Sequence, residues 1–283
     1  MKKMFVAAVM AMTALITGCT IPSLSHEQPK GELRDYEQLI RCSASFAVIG
    51  KTLTNESLVV GDQERALLGV GYSQISGAMG VAAELAYNRA NLTAPLDKEA
   101  YLVSAEKFNQ VNNYDDFDRV LGTNAAAIGT REARDILMKY AQSEVTPQEA
   151  LDEFDSKISE RCSPLMDEAI TSMMLPEEEM PVTLPLTIKS ARCQGAYLFL
   201  TKAAFGVGDE QMAAQFGSTS GMFQVLYEVL AGGSEQIIAE SVAEGTHVLD
   251  NPDITDRDLE GVVSACSDIF DASRLMITDS IVK

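Results

Sequence analysis

Apolar positions recur at three- and four-residue steps through most of the chain. Leu33, Tyr36, Leu39, Ile40, Ser43, Phe46, Ala47, Gly50 and Leu53 follow such steps, the signature of one face of an α-helix. A second pattern opens at Asp62 and continues through Leu67, Val70, Ile75, Met79, Ala82, Leu85 and Ala86. A third opens at Asp97 and passes through Tyr101, Val103, Ala105, Phe108 and Val111. Thr146-Pro147-Gln148-Glu149 is a helix start: a hydroxyl for the N-cap, proline where no N–H is needed, and Glu at N3. Thr255-Asp256-Arg257-Asp258 repeats that logic with a shorter acid. No apolar/polar alternation with turn pairs occurs, so the pattern predicts an all-α helical bundle.

Two stretches interrupt the helical signal. Thr20 to Lys30 is polar, with Pro22 and Pro29 and no periodicity, and reads as a spacer. Leu175 to Pro185 holds three prolines and three consecutive glutamates, which predicts a linker. The expected organisation is a leader over 1–18, a tether over 19–31, a helical half over 32–175, a linker over 176–186 and a second half over 187–283.

The halves share motifs in the same order. Arg41-Cys42-Ser43-Ala44-Ser45-Phe46 matches Arg192-Cys193-Gln194-Gly195-Ala196-Tyr197, with an aromatic residue four after each Cys. Gly61-Asp62-Gln63-Glu64 matches Gly208-Asp209-Glu210-Gln211. Each half then ends on a capped helix carrying Cys-Ser, at Cys162-Ser163 and Cys266-Ser267. The common order predicts an internal duplication.

The leader carries its own address. Lys2 and Lys3 precede an apolar run from Met4 to Ile16, shorter than the roughly 20 residues a bilayer span needs but suited to a signal peptide. It ends in Leu15-Ile16-Thr17-Gly18-Cys19, and over these first 20 or so positions the chain resembles the bacterial lipoproteins. The resemblance implies cleavage after Gly18 and acylation of Cys19, with several chains on one residue making the anchor stable. Thr20 follows in place of the Asp associated with inner-membrane retention, which points to the outer membrane. Past the leader no stretch reaches 18 uncharged apolar residues; Gly195 to Gly208 is interrupted by Lys202.

Export puts the remaining Cys42, Cys162, Cys193 and Cys266 in an oxidising compartment, where an even number favours pairing. Of the three connectivities, the duplication selects Cys42–Cys162 and Cys193–Cys266, one bridge per half. No Cys-x-x-Cys is present, which argues against a zinc or redox site. Small residues at four-residue spacing, Gly69, Ser73 and Gly77, then Gly217 and Gly221, predict close helix packing within the bundle.

Reactive chemistry is sparse. The two histidines, His26 and His247, lie apart from any nucleophile motif, and neither Gly-x-Ser-x-Gly nor His-Glu-x-x-His occurs. The acidic runs Asp115–Asp118 and Asp250–Asp258 lack the Gly and Glu of a calcium loop. A net charge of -19 and a pI near 4.4 exclude a nucleic-acid role. The expectation is a lipid-anchored envelope protein with its body in the periplasm, without enzyme activity, metal or cofactor, binding a protein partner. A carrier of an apolar ligand held among Met79, Phe199, Phe205, Phe216 and Met222 is the second expectation, and a carboxylate hydrolase the third.

Overall fold

The computed structural model describes residues 35–60, 63–90, 125–230, 235–250 and 254–281. The leader with Cys19, the spacer with His26 and the pattern after Asp97 lie outside the described residues. The helices are α1 (Asp35–Val60), α2 (Gln63–Ala90), α3 (Ala125–Ala141) and α4 (Pro147–Phe154). Through a π-helical turn, Asp155–Ser159, α4 runs on into α5 (Glu160–Met173). After a 3-10 turn at Glu177–Glu179 come α6 (Met180–Gly206), α7 (Glu210–Leu230), α8 (Glu235–Leu249) and α9 (Asp256–Ile281). The described residues contain no strand, as the periodicity predicts.

Both start signals are built as caps. The Glu149 N–H donates to Thr146 Oγ1 at 3.2 Å, and the Thr146 N–H donates to Glu149 Oε2 at 2.7 Å. At α9 the Thr255 N–H donates to Asp258 Oδ2 at 2.9 Å, and the Asp258 N–H to Thr255 Oγ1 at 3.3 Å. These bonds supply partners to N–H groups that a first helical turn leaves bare.

The linker is shorter than the expected 176–186. Helix α6 already begins at Met180 and takes in Pro181 and Pro185. Pro181 stands in the first turn, where the missing N–H would have had no partner in any case. Between α5 and α6 the α-helical run is interrupted only over Met174 to Glu179.

Each half is a set of helices seated on one long helix: α2 and α3 on α1, α7 and α8 on α6. Across the middle α2 packs on α7, joining the halves through a shared core that includes Ala82, Leu85, Phe216, Phe223 and Leu226. A second core fills the N-terminal half, where Phe46, Phe154 and Tyr72 meet with ring centroids 5.2–5.6 Å apart. By length and composition α2 could cross a membrane, but 61% of its apolar window is buried inside this bundle.

The disulfides pair as the duplication requires. Cys42–Cys162 ties α1 to α5, and Cys193–Cys266 ties α6 to α9, with Cα atoms 5.8 and 5.6 Å apart. The equivalence continues helix by helix. The Arg41 carbonyl abuts Gly129 of α3, and the Arg192 carbonyl abuts Gly245 of α8. The closing helices α5 and α9 each reach into the opposite half: the Leu175 N–H, just after α5, donates to the Val229 carbonyl of α7 at 2.9 Å, while Arg274 of α9 pairs with Glu84 of α2.

The small-residue stripe serves two contacts. A methyl on Gly69 would stand 3.1 Å from Leu53 Cβ, and one on Gly50 would meet Ser73 Oγ at 2.7 Å, so Gly69 and Ser73 seat α1. Gly77 faces Ser218, while Gly217 faces Val70 and Gly221 faces Gln74, so these three seat the α2–α7 crossing. All of these approaches are within one chain.

Candidate functional site

In the N-terminal half the furrow between α3 and α5, above α1, is bridged. Glu132 of α3 accepts from the Arg41 guanidinium and, at 2.9 Å, from Arg161 Nη2 of α5. Burial alone would raise the Glu132 carboxyl, but hydrogen bonds from Arg41 and Arg161 hold it below the ordinary carboxylate range. The carboxylate therefore ties three helices together just above the Cys42–Cys162 bridge.

The C-terminal half lacks that bridge. Three residues beyond Gly129 stands Glu132, whereas three residues beyond Gly245 stands Val248. Arg161 precedes Cys162, whereas Ala265 precedes Cys266. Arg192, the counterpart of Arg41, turns instead to Glu244, its Nε donating at 2.7 Å. Both groups that would span the gap are thus apolar. What remains is an open furrow of about 940 Å³ between α8 and α9. Its floor is Ala196 and the Cys193–Cys266 bridge, and Val248, Val262, Ala265 and Ile269 line its walls. Val248 is 58% exposed, one of few large apolar side chains so placed among the described residues.

On α6 the sequence Arg192, Gly195 meets Gly245, Val242 in reverse order along α8, and Ser190, Cys193 meets Ser273, Cys266 in reverse order along α9. Both helices therefore run in the sense opposite to α6, with the furrow between them. Lys189, Glu244, His247 and Asp268 stand at its rim.

Comparison with family models, with curated proteins and with solved structures finds no match to this chain.

The structure distributes the sequence-predicted residues unevenly. Cys193 and Cys266 lie in the furrow; Cys42 and Cys162 lie beneath the ion bridge. Gly69, Ser73, Gly77, Gly217 and Gly221 are scaffold. Met79 and Phe216 are sealed in the core, Phe199, Phe205 and Met222 are partly buried against it, and none of the five lines the furrow. Asp258, from the acidic run, is a cap, and hydrogen bonds from Thr255 lower its carboxyl. Among the described residues no group of three or more His, Cys, Asp or Glu is arranged to hold a metal.

Gly129, Gly245, Glu132, Arg161, Val248 and Ala265 are the residues that sequence reasoning passed over. One signal for them exists: Gly129-Thr130 and Gly245-Thr246 repeat a dipeptide at matching places in the two halves. Aligning on it exposes the exchange of Glu132 for Val248.

Proposed function

We propose that this chain is a lipid-anchored envelope protein acting without catalysis, as a helical binding module that seats an apolar helix face of a partner protein between α8 and α9. The supporting observation is the loss of the Glu132–Arg161 bridge at Val248 and Ala265, which leaves apolar walls open in one half only. An apolar furrow between two helices suits the apolar face of an amphipathic helix, whose side chains fill it. Acyl chains on Cys19 would hold the module at the outer membrane with its body in the periplasm.

A photo-crosslinking residue at Val248, activated in intact cells, tests the docking role. One recurrent protein adduct is expected, and it should vanish when Ala265→Arg and Ile269→Glu charge the opposite wall. Absence of any recurrent adduct, or an adduct indifferent to the charged wall, would refute the reading. Cys19→Ser tests the anchor separately: the body should leave the membrane fraction.

A further inference from the structure

A second cleft lies on the opposite side of the α2–α7 crossing from α9. About 400 Å³ in volume, it is enclosed by α2, α5 and α7, with Tyr72, Ile75, Met166 and Ile170 among its walls. Gly71 leaves one side open, since a methyl there would meet nothing within 4 Å. Into this apolar setting α7 projects a carboxylate, Glu228, whose Oε1 accepts from Gln224 Nε2 at 2.9 Å.

The duplication shows what this carboxylate lacks. Arg274 lies eight residues beyond Cys266 on α9, pairs with Glu84 of α2 and rests over the Phe270 ring, 5.4 Å from its centroid. Eight residues beyond Cys162, at the matching place on α5, stands Ile170; Met166 takes the place of Phe270, and Asp167 that of Asp271. So where α9 brings an arginine to a carboxylate of the opposite half, α5 brings isoleucine to Glu228. Among the described residues no cation stands beside Glu228. Burial, followed by the charge of Asp167, pushes its carboxyl above the ordinary range, with the Gln224 bond opposing. A half-buried carboxylate in an apolar cleft is unfavourable unless a cation joins it.

We propose that this cleft binds a small primary alkylammonium ion, its charged head on Glu228 and its hydrocarbon stem along Ile75, Met166 and Ile170. The head supplies the positive charge that Arg274 supplies on the other side, in a charge-assisted hydrogen bond. The stem covers apolar wall otherwise open to water, each buried methylene adding to affinity. The anionic body as a whole attracts cations, and this cleft offers the head a half-buried carboxylate and the stem an apolar wall together.

The test is calorimetric titration of the full chain with n-hexylammonium chloride near neutral pH, against n-butylammonium and hexanoate. One binding site is expected, tighter for hexyl- than for butylammonium and absent for hexanoate. Glu228→Gln, which keeps shape and the Gln224 contact, should weaken binding by about tenfold or more. Ile170→Arg, which restores the internal cation, should abolish it, while Glu240→Gln on the exposed face of α8 should leave it unchanged. Failure of hexylammonium to bind, equal binding of hexanoate, or undiminished binding by Glu228→Gln would each overturn the proposal.

Discussion

Replacing Gly245 by Ala is the sharpest test of how α8 sits on α6. The added methyl would lie 2.7 Å from the Arg192 carbonyl carbon, and nearer still to its oxygen. Non-bonded carbons settle at about 3.5–4.0 Å, so α8 must withdraw by roughly 1 Å. The obstacle is main chain, which no rotamer change can move. Withdrawal also loosens Leu249, now 1% exposed, and stretches the 3.2 Å bond from the Thr246 hydroxyl to the Gly195 carbonyl. Overpacking of this kind costs about 1–3 kcal/mol, a fall in melting temperature of roughly 2–12 °C for a chain of this size. Gly129→Ala meets the same obstacle at the Arg41 carbonyl carbon, also 2.7 Å away, and should behave alike. Gly261→Ala on α9 is the control, because nothing lies within 4 Å of its added methyl; it should gain about 0.5–1 kcal/mol. Thermal and urea unfolding of the three variants decide the matter. Should Gly245→Ala and Gly129→Ala melt at or above the parent, the close approaches are absent and the equivalence of the halves fails with them.

Glu132→Gln leaves Arg41 and Arg161 facing each other without their carboxylate and should cost about 1–3 kcal/mol at neutral pH. Because the Glu132 carboxyl is lowered in the folded chain, its contribution is present above the ordinary value of 4.5 and is lost as pH falls through the folded value, so the parent–variant gap should close in acid. Glu228→Gln has the opposite sign: the raised carboxyl favours folding only when protonated, so the variant should be the more stable at neutral pH, and its advantage should fade as pH falls towards 4.5. Unfolding curves across that range that move together for both variants would contradict these assignments. Brief exposure to dithiothreitol followed by alkylation and mass spectrometry should label Cys193 and Cys266 before Cys42 and Cys162, since only the former pair floors an open furrow; the reverse order would count against the sealed bridge above Cys42.

Much of the scaffold is readable from the chain alone because it is written in local terms. The steps from Tyr36 to Leu53 mark buried or half-buried positions of α1 at all but Ala47, though Cys42, Ser45, Val48 and Ile49 off that stripe are buried as well, and Thr146 and Thr255 announce their helices by cap chemistry that needs only four residues. The disulfide partners followed from motif order, a long-range inference that succeeded because both halves repeat it. Helix α6 starts earlier than the proline cluster suggests, because Pro181 falls in the first turn, where proline is tolerated, and Pro185 is taken into the helix interior. Gly129 and Gly245 were passed over because a glycine inside a helix marks nothing until a neighbouring carbonyl is seen against it. Val248, Ala265 and Ile170 are ordinary apolar residues in sequence; their meaning comes from Glu132, Arg161 and Arg274 at the matching places, and only the fold shows that those charged residues pair across helices.

The reach of α5 and α9 across the centre carries a consequence for biogenesis. A nascent chain presents its first half before α7 exists, so the faces of Ile170 and Met173 that α7 will cover stand bare during that interval. Cys42 and Cys162 both belong to that first half, and their bond joins positions 120 apart with no residue of the second half between them. Oxidation can therefore clamp α5 onto α1 early, holding the docking face in place like a latch set before the door arrives.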